Sequence, residues 1–222
     1  MKKYSKNVGV KFNEDGSVKK FPGNSIISHI YKNQEIYKHL VHIRSILEKS
    51  SISEKYTLLP VNSYHMTVKD LICDEVREIE HWSSKMPIDV RLDETDRYFK
   101  QVWSDIKNLD TIRMKFGLIF VKGVGVSVTL IPATKEQKEK LKAFRDQIAI
   151  ATGVRHPNHE IYRFHVSLAY LIEVLDEEDE KELKVLEESI NKYLKTVDEV
   201  FELNAPELVL FDDMFSFPLV RL

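Results

Sequence analysis

A chain of 222 residues, 43% of them hydrophobic and 10% aromatic, can bury the core of one domain or of two closely packed lobes. Its 33 Lys and Arg against 35 Asp and Glu leave a net charge of -2, which excludes a blanket attraction to polyanions. Long duplex nucleic acid is therefore disfavoured as a partner, while a small nucleotide or an RNA end stays open. The lone cysteine, Cys73, excludes an internal disulfide, and no apolar run approaches the roughly 18 residues of a membrane span. The polar start Met1-Lys2-Lys3-Tyr4-Ser5-Lys6-Asn7 lacks the apolar region of a signal peptide, so a cytoplasmic protein without membrane association is expected.

Residues 1–24 read as an ordered loop or short hairpin, with turn chemistry at Asn13-Glu14-Asp15-Gly16 and Phe21-Pro22-Gly23-Asn24. Ser25 to Tyr31 reads as a strand. Asn33 then caps a helix through Lys49, in which Ile36, Leu40, Ile43 and Leu47 recur at helical spacing. A polar loop from Ser50 to Ser63 leads to a second strand that ends at Leu71 or Ile72. Asp74 is expected to cap a short helix ending near Trp82, and Pro87 to begin extended chain. Thr95 to Leu109 forms a helix with Tyr98, Val102 and Ile106 on one face. Phe116 to Val121 and Val124 to Ile131 flank Lys122-Gly123 as a β-hairpin. Gly123-Val124-Gly125 is a turn rather than a phosphate loop, because the Lys-Ser/Thr of that motif is absent.

Thr134 caps a helix through about Ala151, with Leu141, Phe144 and Ile148 inward and Gly153 placed to stop it. A further strand runs from roughly Tyr162 to Ile172. The acidic run from Asp176 to Glu180 suits the positive end of a helix whose inner stripe is Leu183, Leu186, Ile190 and Leu194. Strands near Val200 to Leu203, Glu207 to Phe211 and Phe217 to Arg221 close the chain.

Two of these strands carry the same pattern: Tyr64-His65-Met66-Thr67-Val68 and Phe164-His165-Val166-Ser167-Leu168. On a strand, alternate side chains share a face, so each copy presents an imidazole beside a hydroxyl and is backed by apolar residues. Strand, capped helix and His-strand begin at Ser25, Asn33 and His65, then at Gly125, Thr134 and His165. That spacing implies an α+β fold of two pseudo-symmetric lobes, each an antiparallel sheet with flanking helices, around a central cleft. The lobes would span about 25–110 and 116–222 within a single domain, with the last strands able to cross between them.

Two histidines across a cleft suit a reaction that needs a base and an acid in one turnover, because imidazole titrates nearest neutral pH. Thr67 and Ser167 can donate hydrogen bonds to the non-bridging oxygens of a phosphodiester. Arg163, two residues before His165, and Lys69, two after Thr67, should face the cleft if both strands are regular. Arg163 is preferred as the phosphate clamp for its planar fork. Strict alternation puts Tyr170 on the core side, although at a strand end it could reach a base for stacking. His29, His39, His42 and His81 have no counterpart in the repeat and read as background. The spacing of His156-Pro157-Asn158-His159 with His165 fits no closed Cys/His site, so neither a metal nor another cofactor is expected.

The paired His-x-Thr-Val and His-x-Ser-Leu motifs, their separation and the lobe pattern resemble the LigT-like, cyclic-phosphodiesterase-like 2H phosphoesterase superfamily. The lead-in Asp15-Gly16 and Phe21-Pro22-Gly23-Asn24 resembles one branch of it. The resemblance implies that His65 and His165 form the acid-base pair and Thr67 and Ser167 the phosphate donors. It further implies metal-free cleavage of a nucleotide or RNA-terminal phosphodiester, with a 2′,3′-cyclic phosphate the leading substrate. A monomer acting on a small nucleotide or RNA end is the expectation. The rivals are 2′-5′ end-joining of RNA, a non-catalytic nucleotide-binding module, and a scaffold whose melting temperature no nucleotide raises.

Overall fold

The structure is a computed structural model describing residues 3–122 and 125–220, with the backbone alone at Lys122. Gly123 and Val124 of the expected hairpin, and the last residue of the expected closing strand, Arg221, lie outside the described residues.

Among the described residues, two antiparallel sheets and four α-helices make an α+β fold with a cleft between the sheets, as the sequence leads one to expect. The smaller sheet has the order β3-β1-β8, from β1 (Gly23–His29), β3 (His65–Cys73) and β8 (Glu207–Phe211). The larger runs β2-β6-β5-β4-β7, from β2 (Tyr56–Leu58), β4 (Thr111–Lys122), β5 (Gly125–Pro132), β6 (His165–Leu171) and β7 (Phe201–Asn204). The last strand of the chain thus completes the first sheet, while β2 completes the second. The two His-strands, β3 and β6, come together where the sheets meet.

The helices follow their apolar spacing. In α1 (Glu35–Glu48), Ile36, Leu40, Ile43 and Leu47 are fully buried. α3 (Lys135–Thr152) starts where Thr134 Oγ1 accepts from the Gln137 N–H and stops at Gly153, whose φ of 73° is the left-handed conformation glycine adopts freely. α4 (Glu177–Leu194) begins with a capping box, in which the Asp176 carboxylate accepts from the N–H groups of Glu178 and Asp179 at 2.9 Å each. Replacing Asp176 by alanine leaves both groups unpaired. The expected cost is about 1 kcal/mol, read as a fall of about 2–4 °C in the melting temperature.

Several local expectations need correction. The position before α1 is Gln34, not Asn33, and it makes no side-chain capping bond. β2 lies inside the stretch read as loop; three residues are too few for periodicity to register. Asp74 caps no helix, because its N–H bonds Pro22 O and its carboxylate pairs with Arg77. Arg77 in turn donates to Ile88 O and Val90 O at 2.6 and 2.9 Å, so this segment is pinned as a loop with one 3-10 turn at Ile79–His81. α2 spans Leu92–Ser104, starting three residues and ending five residues earlier than expected, and buries Thr95 and Phe99. Leu183 on α4 is only half-buried. The segment after Phe217 forms an isolated bridge, Leu219 to Val209, instead of a strand.

Candidate active site

The register of the two strand pairs repeats at a spacing of one hundred residues. In β1 and β3, His29 faces His65, Ile27 faces Thr67, Ile26 faces Lys69 and Ser25 faces Asp70. In β5 and β6, Thr129 faces His165, Ser127 faces Ser167, Val126 faces Ala169 and Gly125 faces Tyr170. Each His-strand therefore contains one extra residue directly after its hydroxyl: Val68 in β3 and Leu168 in β6. Such a bulge interrupts alternation and leaves ladder groups unpaired. Here Val68 O accepts from Arg145 Nη1 at 2.5 Å, and Leu168 O accepts from the Leu59 N–H at 2.8 Å.

The bulges decide which side chains reach the cleft. After each hydroxyl the next two residues, the bulge residue and its successor, are buried and the third turns outward, so Asp70 and Tyr170 join the face of His65, Thr67, His165 and Ser167. All six line one cavity of about 450 Å³, a size suited to a small organic ligand.

Both imidazoles are oriented alike. His65 Nδ1 donates to Ser63 O at 2.7 Å, and His165 Nδ1 donates to Arg163 O at 2.9 Å, in each case the carbonyl two residues back. Nε2 is thus the nitrogen left for the cavity. Burial pushes the His65 pKa down to about 4, and the nearby His29 and His165 rings add to the effect. His65 is therefore neutral at pH 7, with the Nε2 lone pair free. The Phe217 ring covers it at 4.2 Å, held in place because Phe217 O accepts from His29 Nε2 at 2.8 Å. Cys73 also lines the cavity, but burial pushes its thiol up to about 11, so it is no nucleophile at neutral pH.

Behind Thr67 lies a second layer. The Tyr162 hydroxyl is near Asp70 and Thr67, and burial, with the Asp70 charge, raises its pKa, so it stays protonated. The Arg145 guanidinium stacks 4.1 Å from the centre of the Tyr162 ring. Lys69 is only 2% exposed and faces away from the cavity, with Nζ 3.2 Å from His159 Nδ1. His159 Nε2 donates to Asp146 at 2.8 Å, and a bond from Lys142, aided by that from His159, holds the Asp146 carboxyl down to about 2. Burial, with Arg145 nearby, lowers the Lys69 pKa to about 8.

Of the residues singled out from sequence, His65, Thr67, His165, Ser167 and Tyr170 meet on the cavity. Lys69 does not, because the Val68 bulge flips it to the far side. The Arg163 side chain does not line the cavity either: β6 begins only at His165, so alternation does not extend back to it, and its carbonyl is what orients His165. Sequence reasoning missed Asp70, Tyr162 and Phe217; it weighed His156 only as a metal ligand and set His81 aside, although both line the cavity. The hundred-residue spacing itself was a signal for Asp70, which is the counterpart of Tyr170.

A family model described as "2H-phosphodiest: Domain of unknown function (DUF1868)" matches residues 11–124. Uncharacterized protein 127L of Invertebrate iridescent virus 6 is 24% identical over 228 residues, covering 93% of this chain and 92% of the viral one. The crystal structure of a conserved protein of unknown function from Agrobacterium tumefaciens matches 99% of this chain and 93% of its own, with a TM-score of 0.89 at 23% identity. That protein shares the fold over nearly the whole length. Escherichia coli LigT in apo form aligns with 90% of this chain and 96% of its own at 11% identity, with a TM-score of 0.47.

Proposed function

We propose a specific reaction from the premise that the chain belongs to the 2H-phosphodiest (DUF1868) family, and with it to the 2H phosphoesterase superfamily. Membership carries phosphoesterase chemistry in general. Our reading is that this protein hydrolyses a nucleotide or RNA-terminal phosphodiester, with a 2′,3′-cyclic phosphate as substrate, through His65, Thr67, His165 and Ser167. One observation carries it: two imidazole-hydroxyl pairs in identical registers, with identical Nδ1 anchors, line one cavity.

His65, kept neutral by burial, is the base in this reading. Water attacks phosphorus in line and gives its proton to His65 Nε2. The bond from phosphorus to one ribose oxygen breaks, and His165 Nε2 protonates that oxygen as it leaves. Thr67 and Ser167 donate to the non-bridging oxygens, where charge gathers. Tyr170, on the same face, is read as part of the wall against which the base rests.

No step requires a metal. Among the described residues, the groupings able to hold one are Glu78, Glu80 and His81, and Asp146, His159 and Glu160, neither of which includes His65 or His165. Both halves of the site come from one chain, which supports a monomer as the working unit. A cytoplasmic setting is part of the reading and rests on the lone Cys73.

The test is turnover of 2′,3′-cyclic nucleotides and cyclic-phosphate-ended oligonucleotides in EDTA, with the product identifying the ribose oxygen that leaves. Full activity in the chelator is expected; loss of activity restored by zinc would sink the metal-free mechanism. The acidic limb of the kcat/KM profile should fall near pH 4 instead of about 6.5, because a base with a depressed pKa is protonated only at lower pH. A limb near 6.5 would remove His65 from the base role.

A further inference from the structure

The cavity also contains a cation that this chemistry does not use. Lys11 belongs to the segment before β1, which is anchored on the end of β6: Ser5 N–H donates to Ile172 O, and Asn7 Nδ2 to Leu171 O. It is half-buried, and its Nζ lies 4.8 Å from the centre of the Phe21 ring and 5.2 Å from that of Tyr170. Two aromatic faces fix an ammonium in place without neutralising it.

The neighbouring cations are already engaged. Lys69 meets His159, Arg145 holds two carbonyls, and Lys19 donates to Gly9 O. Among the described residues Lys11 forms no ion pair with a carboxylate, Asp70 of the same cavity wall included. A positive charge is thus held ready on the wall of a pocket for an anion.

Its place suggests which anion. Tyr170 pairs with Gly125 and Ser167 with Ser127, so Tyr170 is the next outward position of β6 after Ser167. Lys11, packed on the Tyr170 ring, therefore lines the same cavity from a different position, and an anion held there is a different group of the same ligand from the one at Ser167. The cavity of about 450 Å³ is also far larger than the reacting phosphate needs. We propose that Lys11 binds a second phosphate of the substrate, so that the preferred substrate is a cyclic-phosphate nucleotide that also carries a 5′-phosphate. The identity of the reacting group rests on the phosphodiesterase reading above; the second anion site rests on Lys11 alone.

The experiment compares kcat/KM for adenosine 2′,3′-cyclic phosphate with and without a 5′-phosphate, using the full chain, Lys11→Met and Lys11→Arg. Methionine keeps the packing between the rings and removes the charge. The wild type should prefer the 5′-phosphorylated substrate by roughly 10- to 100-fold, as one charge-assisted contact supplies. The ratio should collapse towards one in Lys11→Met, recover in Lys11→Arg and shrink as salt is raised. Equal use of both substrates by the wild type, or an unchanged ratio in Lys11→Met, overturns the proposal. Calorimetric affinity for adenosine 3′,5′-bisphosphate against adenosine 3′-monophosphate separates the two readings without turnover. A bisphosphate preference that needs Lys11, with no cleavage of either cyclic substrate, refutes the phosphodiesterase reading and retains the second phosphate site. Equal affinity of the wild type for the two ligands refutes that site, whatever the turnover.

Discussion

Replacing either His65 or His165 by alanine is expected to lower turnover of a 2′,3′-cyclic phosphate by about a hundred- to ten-thousand-fold, the range a positioned acid or base contributes. The two losses should not multiply in the double variant. Once one proton transfer is lost, the concerted step is already broken, and groups that act as a unit are far from additive. The pH profiles distinguish the roles. Without His65 the acidic limb near pH 4 should disappear, whereas without His165 it should persist at a lower rate, since the base is intact. Thr67→Val and Ser167→Ala should each cost less than a histidine, because each removes one donor to the non-bridging oxygens and leaves its partner. Steady-state kinetics on all four variants, with melting curves to verify folding, make the check. Variants that fold and retain wild-type turnover would show that the paired motif is not the catalytic centre.

The sequence revealed the periodic features of the molecule and concealed the aperiodic ones. Apolar stripes in α1, α3 and α4 placed those helices, and the acids at Asp176 and the glycine at Gly153 marked their ends. The duplicated aromatic-His-apolar-hydroxyl pattern placed both halves of the cleft, because alternation holds over the first three residues of each strand. It fails at Val68 and Leu168. A bulge is one extra residue among many apolar ones and leaves no compositional mark, so alternation continued past it put Lys69 in the cleft and Tyr170 in the core, the reverse of what is found. Phe217 was illegible for another reason: it reaches His65 through a segment with no regular structure, held by His29. Lys11 reaches the same cavity from the segment before β1, anchored on the end of β6, a contact that spacing cannot encode.

The bulge at Val68 carries the other large expectation. Arg145 is only 4% exposed, and its guanidinium donates to Val68 O at 2.5 Å and His159 O at 3.1 Å while stacking on Tyr162. Replacing it with methionine retains much of the volume and strands two buried carbonyls, each worth about 1–3 kcal/mol when unpaired. A net loss of about 3 kcal/mol is expected, which for a chain of this size lowers the melting temperature by about 6–12 °C. Arg145→Lys should fall in between, because an ammonium cannot span both carbonyls as the planar fork does. The same substitution should reach the chemistry. With its carbonyl released, Val68 can rejoin the ladder, and regular alternation would then turn Lys69 towards the cavity and Asp70 away from it. Turnover should therefore drop more than stability alone accounts for, and amide exchange should quicken first around Val68 and Lys69. If Arg145→Met melts within about a degree of the wild type, the bulge is held by the backbone alone, and Arg145 serves only to anchor α3 against the strand.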